Sequence, residues 1–272
     1  MAFVLKEIRA SSILNRSAIS GIDYAINPYT GCLHGCIYCY ADFMRRFTGH
    51  REPWGSFVDV KVNCAELLIK QIARARPGEA SFSTVTDPYQ PVEVRYRLTR
   101  SCLEAFLGKS FSISILTKST LVLRDIDLLK ALKDSSVGFS IPIFSRKISA
   151  IFEGRASPPE ERLQALKVLA GEKIPTWLFI APALPYFSDS EENLSAIFQE
   201  AKKAGVDYVM IDTFQAYPKV WQRVKGVLSE KFSQLLPLYE EYRENKESFK
   251  EILRSLALRL AAKFQVEVRF AF

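Results

Sequence analysis

Cys32, Cys36 and Cys39 lie in the run Asn27-Pro-Tyr-Thr-Gly-Cys32-Leu-His-Gly-Cys36-Ile-Tyr-Cys39-Tyr40, and this C-x3-C-x2-C spacing can hold three corners of an iron-sulfur cube. Cluster irons are held by Cys thiolates, and an all-protein 4Fe-4S site takes four of them. A trio alone leaves one iron open to another ligand, which points to chemistry at the cluster. Two other readings compete. A zinc ribbon needs a second cysteine knuckle further along, and the next cysteine, Cys64, stands without a neighbour. His34 and His50 are off finger spacing. A plain electron carrier calls for a fourth cysteine close behind, and none falls between Cys39 and Cys64.

The remaining cysteines, Cys64 and Cys102, sit in helical, largely apolar surroundings and read as small packed hydrophobes. Five cysteines in 272 residues do not make a disulfide framework. With 48% hydrophobic and 25% charged residues, the chain can bury a barrel-sized core, and disorder is excluded as its general state. The longest apolar stretches, such as Thr176 to Pro185, are too short and too rich in proline to span a membrane. The first residues carry charges where a signal peptide needs an apolar run, so the expected location is the cytoplasm. A net charge of +7 without a polybasic run permits nucleic acid or an anionic substrate and demands neither.

The elements that must position the trio follow from periodicity. Phe57 to Val62 alternates with period two and precedes a helical pattern from Ala65. Strand-then-helix recurs at Ala80–Thr86 with Arg100–Leu107, at Phe111–Thr117 with Ile126–Leu132, and at Val137–Pro142 with a helix from Ser157. It recurs again at Thr176–Ala181 with Ser190–Ala204, and Tyr208–Asp212 closes the series. Such alternation predicts an α/β fold of parallel strands with crossover helices, as a barrel or an open sheet. Ser157-Pro-Pro-Glu160 predicts a capping box, and Ala204-Gly205 a helix stop. From Pro218 two long helical stretches are expected, Lys219–Leu236 and Leu238–Lys263, followed by a short strand within 265–272. The expected division is residues 1–215 as the main domain, with the cysteine loop near 27–42, and residues 216–272 as a C-terminal helical extension.

Cys32-Leu-His-Gly-Cys36-Ile-Tyr-Cys39 resembles the signature of radical S-adenosylmethionine (SAM) enzymes, and the wider run from Tyr24 to Cys32 resembles their spore photoproduct lyase-like, or DNA repair photolyase-like, branch. Further matches are Thr84 to Glu93, Arg97 to Arg100, Thr117 to Ser119, Leu123 to Leu129 and Pro158 to Leu163, in the same order along the chain. The resemblance implies a partial (β/α)6 barrel of the TIM type, with the cluster loop after the first strand. It implies that Cys32, Cys36 and Cys39 hold a 4Fe-4S cluster whose open iron chelates SAM, which one electron cleaves to methionine and a 5′-deoxyadenosyl radical. Carried over by position, Tyr38 lies near the adenine, Thr86 and Asp87 near the methionyl amino end, and Lys118 at its carboxylate. Ser140 matches a ribose contact and the backbone of Ala181 an adenine contact. Tyr40 matches a relay tyrosine of the lyase and is the candidate catalytic residue.

Two departures bear on the reaction. Thr84 stands where the lyase has its hydrogen-donating cysteine, and an alcohol O–H is a far poorer donor to a carbon radical than a thiol. Phe152-Glu-Gly-Arg-Ala-Ser157 replaces a Glu-Pro-Arg-Ala-Pro segment of most relatives, and Ile141 to Ser145 replaces a Thr-rich one, so a different substrate is expected. The leading expectation is a radical SAM enzyme abstracting hydrogen from an organic substrate, with an external one-electron donor such as a flavodoxin or ferredoxin. A nucleic-acid lesion lyase and an iron-sulfur redox or metal-binding protein without SAM turnover are the alternatives.

Overall fold

The computed structural model describes residues 3–82 and 84–272. Its strands, in chain order, are β1 (Val4–Ile8), β2 (Asn15–Arg16), β3 (Tyr24–Ile26), β4 (Tyr29–Thr30), β5 (Phe57–Lys61) and β6 (Glu79–Phe82). They continue with β7 (Ser112–Thr117), β8 (Asp134–Ser140), β9 (Thr176–Ala183), β10 (Tyr208–Thr213) and β11 (Glu267–Phe270). The helices are α1 (Cys64–Ile72), α2 (Glu93–Tyr96), α3 (Leu98–Glu104), α4 (Ile126–Ala131), α5 (Arg146–Glu153) and α6 (Pro159–Gly171). After them come α7 (Glu191–Ala204), α8 (Pro218–Lys231), α9 (Leu236–Glu244) and α10 (Lys246–Phe264).

An eight-stranded sheet runs β11-β10-β9-β8-β7-β6-β3-β2. All its pairings from β3 to β11 are parallel, and only β2 against β3 is antiparallel. The order of β3 and β6 to β10 is sequential, as in a (β/α)6 partial barrel, and β11 extends it beyond β10. Parallel neighbours need crossovers, and the helices between them supply these on the outer face. Ile113, Ile115, Val137, Phe139, Leu178, Ile180, Val209 and Ile211 are buried there. Inside, Trp177 stacks on Tyr208 with ring centroids 5.7 Å apart. A Cβ at Gly138 would come within 2.3 Å of the Trp177 indole, so the glycine makes room for that stack.

The expected strand at Phe57 forms as β5 but does not join the barrel. It pairs with β1 in parallel and with β4 antiparallel, in a separate three-stranded sheet beside the cysteine loop. Its residues are buried almost continuously, a pattern that period-two alternation alone does not assign to one sheet. The helix expected from Ser157 begins at Pro159 instead. Ser157 Oγ accepts the backbone N–H of Thr120 at 3.1 Å and so ties two loops together rather than capping a helix. Gly205 does end α7, at φ +68°. The stretch expected as one helix over Leu238–Lys263 breaks at Asn245 into α9 and α10. α10 packs on α7, and β11 lies in parallel register on β10. No helix among the described residues is long and apolar enough to cross a membrane.

Candidate active site

The cysteine loop follows β3 and passes across the C-terminal ends of the strands, where loops of parallel α/β folds gather to form sites. Asn27 starts it: its side chain donates to Thr84 Oγ1 (2.9 Å) and accepts from the Val85 N–H (3.1 Å), which ties the loop to the end of β6. Gly31 turns the chain at φ +85°, and a Cβ there would stand 2.5 Å from the Phe57 carbonyl, so the small sheet is the floor of the loop. At Gly154 a Cβ would stand 2.3 Å from the His34 carbonyl, which brings the loop after α5 into the same close contact. Two arginines then grip peptide carbonyls at different points of this region. Arg155 donates to Leu33 O (3.0 Å) and Gly55 O (3.1 Å). Arg223, on α8, donates to Ile37 O (2.9 Å) and Cys39 O (2.8 Å) and pairs with Asp42 at 2.8 Å.

Thr86 and Asp87 are buried and spend their side chains on this scaffold. Thr86 donates to Gly31 O at 2.6 Å, beside Gln90, whose side chain donates to Gly31 O and accepts from the Leu33 N–H. Asp87 accepts the hydroxyl of Thr117 (2.7 Å), the backbone N–H of Lys118 (2.8 Å) and that of Tyr89 (2.9 Å), closing an Asx turn over Pro88. His34 Nε2 lies 3.2 Å from the same carboxylate. Burial on its own raises the Asp87 pKa, but His34 and the donors around it outweigh burial and hold it below the usual range. Behind this turn, the fully buried Glu93 and Asp125 form an ion network with the partly exposed Arg100 and Arg124, and Tyr89 donates to Asp125. The segments that matched far from the cysteines therefore build the support of the Asp87 turn.

Tyr38, Lys118, Ser140 and Ala181 are brought into one connected group. Lys118 Nζ donates to Ser140 Oγ at 2.7 Å and sits 5.6 Å from the centroid of the Tyr38 ring. The Ser140 hydroxyl donates to Ala181 O at 3.0 Å, across from β8 to β9. Tyr38 in turn donates to Glu153, which also receives Ser149 (2.6 Å) and the guanidinium of Arg162 (2.5 Å). The Glu153–Arg162 side chains are 2% and 1% exposed, so this is a fully desolvated pair. Its geometry compensates: Arg162 also donates to Ser157 O (2.6 Å) and Ser140 O (2.7 Å). Burial raises the Glu153 pKa, yet Arg162 and then Lys118 more than offset it, and the carboxyl is held low.

The three thiols share one end of this group. Burial pushes the Cys36 thiol up to about 12 and raises Cys32 and Cys39 as well, while Lys118 pulls down on Cys36 and on Cys39. Left as thiols they are inert, and a metal centre is what makes buried cysteines thiolates. Among the described residues no three His, Cys, Asp or Glu side chains converge as ligands of a single ion. A cube asks for something else, since each thiolate binds its own iron. A loop with three thiols, a cation acting on two of them and no fourth cysteine among residues 27–42 fits a 4Fe-4S cluster bound through three corners.

Tyr40 faces another direction. Its ring is half-exposed and stacks on Phe43 at 6.3 Å, while its hydroxyl turns inward and donates to Thr84 O. Burial of that hydroxyl, then Cys39, Asp212 and Tyr217, raise its pKa. Tyr40 is thus brought to Thr84, the position where the lyase pattern has its cysteine, and to the mouth of the barrel. Tyr186, Asp189 and Tyr239 share electrostatic contact, and burial raises Asp189 to about 6.

The Radical SAM superfamily model matches residues 26–196, the stretch from the end of β3 into α7. The chain belongs to the radical SAM superfamily. An uncharacterised protein of Methanocaldococcus jannaschii is 38% identical over 185 residues, covering 68% of this chain and 70% of that one. An uncharacterised protein of Mycobacterium tuberculosis is 28% identical over 275 residues, covering 96% and 81%. Among solved structures, spore photoproduct lyase complexed with a dinucleoside spore photoproduct superposes with a TM-score of 0.73 at 20% identity, covering 98% of this chain and 82% of that one. The protein is therefore a radical SAM enzyme with the spore photoproduct lyase fold, and membership implies a 4Fe-4S cluster and SAM.

Glu153, Arg162, Arg155, Arg223 and Gln90 were not among the site residues expected from sequence. Arg162 lies within the matched Pro158–Leu163 segment, Gln90 within Thr84–Glu93, and Glu153 and Arg155 within the departing Phe152–Ser157 segment, so all four carried a signal. Arg223 carried none: it is one arginine on an amphipathic helix.

Proposed function

We propose that Cys32, Cys36 and Cys39 hold the cluster and that Tyr38, Lys118, Ser140 and the Ala181 backbone form the SAM wall, with an organic substrate entering beside Tyr40. The observation that carries this reading is the position of the Lys118 ammonium, bonded to Ser140, lying near the Tyr38 ring and acting electrostatically on both Cys36 and Cys39. A cation there matches a carboxylate that must sit next to the cluster. When bound, the cluster and SAM together supply reductive cleavage of SAM to a carbon radical. The chain's own part is positional. Glu153 fixes the Tyr38 phenol, Arg162 fixes Glu153, and the Asp87 turn fixes the backbone of Lys118. Thr86 and Asp87 act in this reading as supports of the loop, their polar atoms being already engaged.

The route of the lyase is not assigned to this chain. Thr84 supplies no thiol, and its hydroxyl and carbonyl both have partners, Asn27 and Tyr40. The substrate is an organic molecule other than the lyase's, and the electron comes from an external donor such as a flavodoxin or ferredoxin. Anaerobic reconstitution with iron and sulfide, followed by SAM and dithionite, is expected to release 5′-deoxyadenosine. A filled cluster that yields none contradicts the reading.

One observation favours a nucleic-acid substrate as a second reading. From Tyr40 outward runs a row of exposed rings, Phe43 and Phe47, with Arg46 lying 5.3 Å and 4.6 Å from them. Aromatic rings interleaved with a cation suit stacked bases and a phosphate backbone. Salt-dependent binding of a single-stranded oligonucleotide that is lost in Phe47→Ala supports it, and binding indifferent to salt contradicts it.

A further inference from the structure

α8 lies outside the matched stretch, yet its Arg223 makes three hydrogen bonds to the second half of the cysteine loop. Arg223 uses all three of its nitrogens there: Nε on Ile37 O (2.9 Å), one terminal nitrogen on Cys39 O (2.8 Å) and the other on Asp42 (2.8 Å). Its side chain is 25% exposed and that of Asp42 only 4%, so the pair sits at the protein edge of the loop, where water screens it weakly. Two carbonyls flanking Tyr38 and the third thiol are thereby tied to a helix that enters the chain after the barrel is complete. Arg155 grips the first half of the loop through Leu33 O and cannot replace this contact, because it lies on the other limb.

We infer that Arg223 is a positioning residue of the radical SAM centre, one that fixes the Cys39 limb and, through its charge, sets the reduction potential of the cluster, with Asp42 as its counterweight. The inference rests on the assignment of Cys32, Cys36 and Cys39 as cluster ligands. Reduction adds one negative charge to the cluster, so a nearby cation favours the reduced state and a nearby carboxylate disfavours it; net charge and hydrogen bonding are the levers by which proteins tune such potentials. The two residues therefore make opposite predictions. Arg223→Met removes the cation and leaves the buried Asp42 carboxylate with only the longer ion pair to Arg45, at 3.7 Å, and the midpoint potential falls. Asp42→Asn keeps the guanidinium and removes its compensating charge, and the potential rises. A role limited to holding the loop moves both variants in the same direction.

A second consequence is independent of the cluster. In the iron-free protein, the amides of residues 37–42 are expected to exchange hydrogen faster in Arg223→Met than in the wild type, while those of the Leu33 limb, held by Arg155, do not change.

The experiment is a potentiometric titration of the reconstituted protein, read by electron paramagnetic resonance of the reduced cluster, on wild type, Arg223→Met, Arg223→Lys and Asp42→Asn. At a fixed potential the ratio of reduced to oxidised cluster is expected to fall about tenfold in Arg223→Met, equivalent to about 59 mV for one electron. Arg223→Lys is expected to recover most of that shift, because it keeps the charge. In Asp42→Asn the ratio rises. Equal midpoints in all four proteins, or shifts of one sign in Arg223→Met and Asp42→Asn, overturn the inference. A wild type that takes up no cluster overturns instead the assignment of the cysteines, and the hydrogen-exchange comparison still decides whether Arg223 holds the loop.

Discussion

The two banks of the cysteine loop are built differently. On one bank, at the ends of β7, β8 and β9, Lys118, Ser140, Tyr38, Glu153 and Arg162 are joined into one chain of short hydrogen bonds. On the other, in the loop after β9 and on α9, Ser188 Oγ, Asp189 Oδ1 and Tyr239 OH are buried without a hydrogen-bond partner among the described residues. A bank whose side chains already hold one another is ordered before anything binds, which is what a cofactor used in every turnover requires. A bank with unmet donors and acceptors keeps capacity for a partner that comes and goes, at a cost to stability. In the proposed reading, the first bank serves how a radical is made and the second what it acts on.

The largest effect is expected from breaking the engaged bank at its centre. Glu153→Ala leaves the Arg162 guanidinium buried and unpaired, and the loss is expected to be about 3–5 kcal/mol, read as a large drop in the midpoint of thermal unfolding. A loss below about 1 kcal/mol would show that the bank is not stiffened by this pair.

Removing Lys118 leaves the bank folded and blunts it. Lys118→Met is expected to weaken SAM binding roughly 10- to 100-fold, the range of one charge-assisted hydrogen bond, when titrated by calorimetry under anaerobic conditions. Unaltered affinity would take the carboxylate away from this lysine.

On the other bank, pH is the probe. Asp189 has its pKa raised from 3.8 to about 6 by burial, so the folded state holds a proton that the unfolded chain gives up. The stability it contributes is full below about 3.8 and is lost as pH rises through about 6. Asp189→Asn is expected to flatten that slope and to gain about 3 kcal/mol at pH 7, measured by urea unfolding across this range. A variant with the slope of the wild type would place the unmet charge elsewhere.

The smallest effect is expected at Tyr40, between the banks. Tyr40→Phe loses one hydrogen bond to Thr84 O, about 1 kcal/mol or less, and leaves 5′-deoxyadenosine release without substrate unchanged. If release falls as well, Tyr40 belongs to the SAM wall and the division between the banks fails.

The engaged bank was largely legible in sequence because its residues sit at strand ends inside matched segments. Lys118 follows β7 and Ser140 ends β8, and a period-two pattern locates both ends. Thr86 and Asp87 were found for the same reason, but the sequence could not reveal that the cysteine loop itself takes up their polar atoms. The Glu153–Arg162 pair is a tertiary event between two helices, and neither residue advertises its partner. Strand β5 shows the same limit, since its pattern announces a strand and says nothing of which sheet receives it. The unengaged bank lay beyond reach: an unpaired Tyr239 hydroxyl is a property of packing, and no spacing records it.

The most direct test of the central claim is electron paramagnetic resonance of the reduced cluster in wild-type protein with SAM carrying oxygen-17 in its carboxylate. SAM held at an open iron beside Lys118 is expected to alter the spectrum and to broaden it when the label is present. A spectrum that neither shifts with SAM nor broadens with the label contradicts an open iron held by Cys32, Cys36 and Cys39.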